Sequence, residues 1–270
     1  MEKREVDIVV ISDVHLGTYG CHAKELLRYL DSISPSLLIL NGDIMDAWAF
    51  SKRYFPKQHT EVIKHILGWV GNGVPVYYLP GNHDEVMRKF KGFHLGSLQI
   101  ENSLSFSVGG KKAWVFHGDV FDVAMKRGKW LAKLGGKGYD LLILLNRFVN
   151  YLNAKMGKER VSFSKRIKSG VKGAISYIGK FEETIGEIAI DNQNDFVICG
   201  HIHQPCIKTI ATKQGSVTYL NSGDWVENLT ALEYHQEKWT LYQYPQDSVL
   251  NKEKEQPVVG AARNKTVSLV

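Results

Sequence analysis

The sequence predicts a mixed α/β protein carrying a helical insertion, on three observations. Apolar runs suited to strands alternate with helical spacing over the first 79 residues. Shorter strand-like runs follow Gly92 and return after residue 195. Between them, 122–190 is helical in character and holds the excess positive charge.

The run VDIVVI at 6–11 is β-branched and apolar, as in a strand buried on both faces. Residues 23–33 follow as a helix, with Leu26, Leu27, Leu30 and Ile33 at helical spacing. A buried strand at 37–40, a second helix over 60–70 and a strand over 74–79 complete a βαβαβ start. That order predicts a largely parallel sheet with right-handed crossovers. Beyond Gly92 come strands at 98–100, 104–108 and 112–116, the last two joined through a tight Gly109-Gly110 hairpin. Strands resume at 196–199, 207–211, 217–220, 230–234 and 239–244. The reading is one domain, its core in 1–121 and 191–250, a helical insertion over 122–190, and a polar tail at 251–270 expected to fray.

With 270 residues, 44% hydrophobic and 23% charged, the composition is that of a globular protein with one sizeable core. The longest apolar stretch, 141–145 extended by Phe148 and Val149, is too short to span a bilayer. The opening MEKREVDIVVISD lacks secretion-signal anatomy, so a cytoplasmic location is expected. Cys21, Cys199 and Cys206 have neither disulfide-framework nor CxxC spacing, which predicts free thiols. Net charge is +6, unevenly spread: from Ala124 to Lys180, 14 Lys/Arg meet only Asp140 and Glu159, an excess of 12 that leaves the remainder negative by six. The basic segment is expected to face an anionic partner.

Five predicted strand ends deliver Asp, His and Asn, at the place where open α/β sheets bind ligands. They are Asp13-Val14-His15, Asn41-Gly42-Asp43, Gly81-Asn82-His83-Asp84, His117-Gly118-Asp119 and Gly200-His201-Ile202-His203. None delivers a Ser or Cys nucleophile beside a base. Carboxylate and amide oxygens mixed with imidazoles suit Mn²⁺, Fe or Zn²⁺, and the lack of thiolates argues against a structural zinc. A carboxylate such as Asp43 can bridge two ions, a pair that activates water and clamps phosphoryl oxygens. Any one of these motifs is commonly just a turn; five in order, each at a strand exit, point to a two-metal phosphoesterase. His83 is one histidine beyond the metals' needs, which leaves it for the leaving oxygen, with Asp84 as the obvious carboxylate to fix its tautomer.

Those motifs resemble the signature of the calcineurin-like metallophosphoesterases over roughly residues 6–244. The resemblance implies a four-layer αββα sandwich with a helical lid insertion. It further implies that Asp13, His15, Asp43 and His203 hold one metal, that Asp43, Asn82, His117 and His201 hold the other, and that His83 is catalytic. Within the superfamily the chain looks most like the UDP-2,3-diacylglucosamine diphosphatases of lipid A biosynthesis. The stretches that carry this include Gly42-Asp43-Ile44-Met45-Asp46-Ala47-Trp48, His117-Gly118-Asp119-Val120-Phe121-Asp122 and Asn221-Ser222-Gly223-Asp224-Trp225. One departure stands out: the best-studied branch has Arg where His83 stands.

That family implies a nucleotide-linked glycolipid substrate, a lid that holds acyl chains, and peripheral association with the cytoplasmic face of the inner membrane, with no nucleic-acid partner. Composition alone leaves the basic insertion open between such a lid and a cap whose charges are merely solvated. Arg160, Lys165, Arg166 and Lys168 are the candidate headgroup or phosphate contacts. Trp48 and Trp225 either stack on the base, wall the pocket, or belong to the core. The ligand set leaves the metal open among Mn²⁺, Fe and Zn²⁺, and oligomeric state is silent.

Overall fold

The computed structural model describes residues 3–47, 54–122 and 171–245. It contains two sheets. The larger takes β1 (Arg4–Ile11), β2 (Ile33–Leu40), β3 (Val76–Tyr78), β4 (His94–Leu95), β5 (Leu98–Ile100), β11 (Thr230–His235) and β12 (Lys238–Gln243), in the order β12-β11-β1-β2-β3-β5-β4. The smaller takes β6 (Leu104–Val108), β7 (Lys111–Val115), β8 (Phe196–Cys199), β9 (Cys206–Thr212) and β10 (Gly215–Asn221), in the order β6-β7-β8-β10-β9. Strands β1, β2, β3 and β5 run parallel, as do β7, β8 and β10. The expected parallel arrangement therefore holds at the centre of each sheet, while antiparallel β4, β6, β9, β11 and β12 complete the flanks.

Alternation along β1 shows how one strand serves two cores. Val9 and Ile11 point toward helices α1 (Ala23–Asp31) and α2 (Lys57–Gly71), joining Leu26, Leu30, Val62 and Ile66. Ile8 and Val10 point the other way, meeting Val115, Ile198 and Leu220 of the second sheet. Strand side chains alternate faces, so VDIVVI fills both sides. On the far face of the second sheet, Trp114, Phe116, Val197 and Tyr219 pack against Phe181, Ile185 and Ile188 of α3 (Val171–Asp191). The layers are helix, sheet, sheet, helix.

Local chemistry sets the boundaries. Helix α1 stops at Asp31, two residues short of the predicted end, because Pro35 forces extended backbone before it and strand β2 starts at Ile33. Helix α2 ends where Gly73, at φ +82°, turns the chain so that Gly73 N–H donates to Val70 O and Val74 N–H to Trp69 O. Helix α3 lies inside the stretch that the sequence assigns to the insertion, yet it buries Tyr177, Phe181 and Ile185 as the outer layer of the sandwich. The rest of that stretch, 123–170, lies outside the described residues, and so does the 251–270 tail. Cys21, Cys199 and Cys206 are free thiols.

Candidate metal centre

Every expected ligand leaves the carboxyl end of a parallel strand. Asp13 and His15 follow β1, Asp43 follows β2, Asn82 and His83 follow β3, His117 follows β7, and His201 and His203 follow β8. Parallel strands end on the same side, so the two sheets present these loops to one another. Backbone bonds then tie the loops together: Asp13 N–H donates to Gly42 O (3.0 Å), His15 N–H to Asp43 O (2.9 Å) and Gly200 N–H to His117 O (3.0 Å). Asn41 Nδ2 crosses to Phe116 O at 3.1 Å.

The loops are strained where they carry ligands. Asp13, His15, Asp43, His201 and His203 all sit at positive φ, between +51° and +67°. Each such non-glycine conformation costs on the order of 1–3 kcal/mol, and such outliers cluster at functional sites. Gly81 is required by close approach: a Cβ there would collide with Asp43 Oδ1 and the His117 ring.

The side chains converge in three overlapping groups, Asp13/His15/His203, His15/Asp43/His83 and Asp43/His117/His201, each with its ligand atoms within 4.8 Å of one another. Asp43 Oδ2 lies 3.3 Å from His117 Nε2 and 4.0 Å from both His15 Nε2 and His83 Nε2. His203 Nε2 lies 3.2 Å from Asp13 Oδ1. Asp43 belongs to two groups and stands between the others, the position of a bridging ligand.

A separate set of acceptors fixes the imidazoles. Asp46 Oδ2 takes both His15 Nδ1 (3.0 Å) and His83 Nδ1 (2.8 Å). The Asn41 carbonyl takes His117 Nδ1 at 2.8 Å. Because these oxygens only accept, each ring donates through Nδ1 and turns Nε2 toward the cluster. His201 is held the opposite way, Nε2 to Asp122 Oδ1 at 3.1 Å, which leaves Nδ1 for the cluster. Tyr177 of α3 donates its hydroxyl to the same Asp122 oxygen.

Three buried atoms of the cluster, Asp13 Oδ1, His15 Nε2 and His117 Nε2, make no well-formed hydrogen bond, and neither does the buried Asn82 Oδ1 beside His83 in sequence. Buried polar atoms are ordinarily satisfied, so orphans concentrated among oxygen and imidazole donors fit divalent cations. Charges follow the same geometry. Burial opposes ionisation of Asp43, yet His117, His15 and His83 hold its carboxyl well below the ordinary range. Against the same penalty, His203 and His117 hold Asp13 at about 2. In return, and against burial, Asp43 and Asp13 raise His117 to about 10, and Asp13 raises His203 to about 9. His83 is likewise raised, burial being outweighed by the hydrogen bond to Asp46 and the charge of Asp43.

The profile of the calcineurin-like phosphoesterase family matches residues 6–205. The chain belongs to that family. This phosphoesterase is 25% identical over 221 residues to the UDP-2,3-diacylglucosamine hydrolase of Blochmanniella pennsylvanica, covering 78% of this chain and 85% of that protein. It is 23% identical over 248 residues to the one from Serratia proteamaculans, covering 89% and 100%. A probable glycerophosphodiester phosphodiesterase, GpdQ, of Arcobacter nitrofigilis is 27% identical over 210 residues, covering 71% and 64%. The phosphoesterase is thus a hydrolase of phosphoester bonds built around divalent-metal donors.

One expectation needs correction. Asp84 does not orient His83: its oxygens accept from Tyr78 Oη (2.5 Å), Gly81 N–H (2.6 Å) and Ile44 N–H (2.9 Å), so it braces the two ligand loops. Asp46 has the orienting role instead, and its signal was its place three residues past Asp43. Of the alternatives open for Trp225, the core one fits: it is fully buried and packs on Tyr29 with ring centroids 5.4 Å apart. Trp48, Arg160, Lys165, Arg166 and Lys168 lie outside the described residues. Asp122 was also missed; it stands five residues past His117, and only folding reveals that it serves His201.

Proposed function

We propose that this phosphoesterase cleaves the pyrophosphate bond of UDP-2,3-diacylglucosamine, releasing UMP and 2,3-diacylglucosamine 1-phosphate. One observation carries the substrate: relatives bearing that hydrolase name align with 78% and 89% of this chain over 85% and 100% of their own length. The donor set supports the reaction class. Asp13, His15, Asp43 and His203 would hold one divalent cation, and Asp43, Asn82, His117 and His201 a second. When bound, such cations supply the Lewis acidity that activates water and neutralises phosphoryl oxygens, with manganese the first to test and iron or zinc compatible with the same donors.

The protein's own groups do the rest. His83 is the most exposed of the clustered imidazoles except His203, at 22% of its side chain, so it can reach substrate from the rim. Held by Asp46 and raised toward its protonated form, it donates through Nε2 to the oxygen that leaves the α-phosphorus as that P–O bond breaks. Asp84 and Asn41 keep the loops in register while this happens. A peripheral position on the cytoplasmic face of the inner membrane follows from the lipid substrate; among the described residues no helix is long and apolar enough to cross a membrane. Of the basic 122–190 segment, the stretch ahead of α3 would supply the acyl-chain lid.

The second reading is a phosphodiesterase for a soluble ester or nucleic acid, favoured by the glycerophosphodiester phosphodiesterase relative. Turnover of UDP-2,3-diacylglucosamine in detergent with Mn²⁺, set beside glycerophosphodiester and oligonucleotide, separates the two. UMP formed from the glycolipid at the highest kcat/KM supports the proposal; preference for either soluble substrate overturns it.

A further inference from the structure

We propose that residues 86–95 form a docking rim that seats the metal centre against an anionic lipid surface, an inference that rests on the lipid-linked substrate reading. Eight large hydrophobic side chains are exposed among the described residues, and four of them fall within these ten positions: Val86 (47%), Phe90 (51%), Phe93 (49%) and Leu95 (52%). Single exposed apolar residues are ordinary, whereas a concentration of them marks an interaction surface.

The rim begins two residues after Asp84 and is rigidly tied to the centre. The 3₁₀ helix Glu85–Phe90 is anchored by buried Arg88, whose guanidinium donates to Pro80 O and Asp119 Oδ1, both at 2.8 Å. Those acceptors lie in the loops that carry Asn82 and His117. The turn beyond the helix is closed by Phe93 N–H to Phe90 O (2.9 Å), Gly92 N–H to Ile100 O (2.8 Å) and Ile100 N–H to Phe93 O (3.1 Å). Leu95 then ends β4, the outermost strand of the larger sheet. The two phenylalanines are thus presented by a pinned turn at a sheet edge.

Charge selects the partner. Arg88 is buried and paired with Asp119, so Lys89 and Lys91 carry the positive charge of the rim, with Glu85 at the start of the helix and no Asp or Glu from Val86 to Ile100. Lys89 and Lys91 are exposed between the apolar side chains. Phenyl and aliphatic groups that enter the acyl boundary, with ammonium groups at headgroup level, are the chemistry of an interfacial segment on an anionic bilayer. A nucleic acid would use the lysines but leave Val86 and Leu95 unexplained.

The test uses the full chain and sedimentation with vesicles of phosphatidylcholine, alone or mixed with phosphatidylglycerol. Wild type should partition onto the mixed vesicles. Phe90→Ser/Phe93→Ser should weaken that partition by about tenfold or more. Lys89→Gln should weaken it by about fivefold, on the anionic vesicles only. Both variants should keep wild-type melting and wild-type turnover of bis(p-nitrophenyl) phosphate in solution. Wild type that fails to partition, or variants that partition like it, overturns the proposal, as does an oligonucleotide that binds the rim in place of lipid. The substrate reading is judged separately by hydrolysis of detergent-dispersed glycolipid: if that proceeds while the variants bind vesicles normally, only the docking rim fails.

Discussion

Asp46 accepts from two imidazoles at once, so a single substitution there reaches both His15, the proposed metal donor, and His83, the group proposed to act at the leaving oxygen. Asp46→Asn keeps an acceptor but removes one of the charges that raise His83 toward its protonated form. Turnover should fall by roughly 10–100-fold, with partial loss of bound metal. His83→Ala should cost about 10²–10⁴-fold in kcat with metal content intact, since its ring is not required as a ligand. Turnover of bis(p-nitrophenyl) phosphate alongside metal content per chain reads both variants; metal loss in His83→Ala would show that His83 is a ligand. At this scale the candidate donors were legible in the sequence, while the groups that orient their rings were not. Asp13, His15, Asp43, His117, His201 and His203 each follow a strand, and a strand is legible from an apolar run. Which carboxylate faces which ring depends on loop geometry, so adjacent Asp84 looked like the partner of His83 while Asp46 was the actual one.

Element boundaries and roles were legible where periodicity was strong. Strand β1 was recognisable because six consecutive residues are apolar or β-branched apart from Asp7, and it is buried on alternating sides as that pattern requires. The place of helix α3 in the layers was not legible, because its helical spacing says which face is apolar but not what covers it. Phe181 shows what covers it: its ring fills the space over Gly118, at 2.8 Å from where a Cβ would stand, with its centroid 6.2 Å from that of His201. Phe181→Ala should therefore destabilise the fold by about 3–5 kcal/mol, and it should loosen metal binding as well, read by thermal melting with and without Mn²⁺. An equal shift in both conditions would confine Phe181 to packing. Helix α2 contributes a pH-sensitive contact. Buried His59 is held below its ordinary pKa by desolvation and accepts the Gly17 N–H at 2.9 Å through Nδ1. Its neutral form stabilises the fold above about pH 6.5, and that contribution is lost as pH falls, because the unfolded chain takes up the proton first. His59→Gln should flatten the decline in melting temperature between neutral and mildly acidic pH; an unchanged slope would exclude His59 as a source.

For the whole molecule, the buried cluster couples folding, protons and cations. Without cations His117 and His203 are held protonated to about 10 and about 9 by Asp43 and Asp13. Cations need the neutral rings, so binding at neutral pH must release protons and must tighten as pH rises. Calorimetric titration with Mn²⁺ in buffers of different ionisation enthalpy should show that release, and proton-neutral binding would contradict the assignment of these histidines. Chelation should lower thermal stability by about 2.7 kcal/mol relative to cation at 100 times its dissociation constant. The α/β class and the two-sheet layering were legible from element order together with the motif resemblance. The substrate was not, because no motif in the chain encodes an acyl chain, and most of the segment assigned to hold it, 122–190, lies outside the described residues. The most direct test of the account is hydrolysis of UDP-2,3-diacylglucosamine in water labelled with heavy oxygen, the products being weighed by mass spectrometry. Label in UMP alone is the predicted result, as water attack at the α-phosphorus requires. Label in the diacylglucosamine 1-phosphate, or no cleavage of this glycolipid, would contradict it.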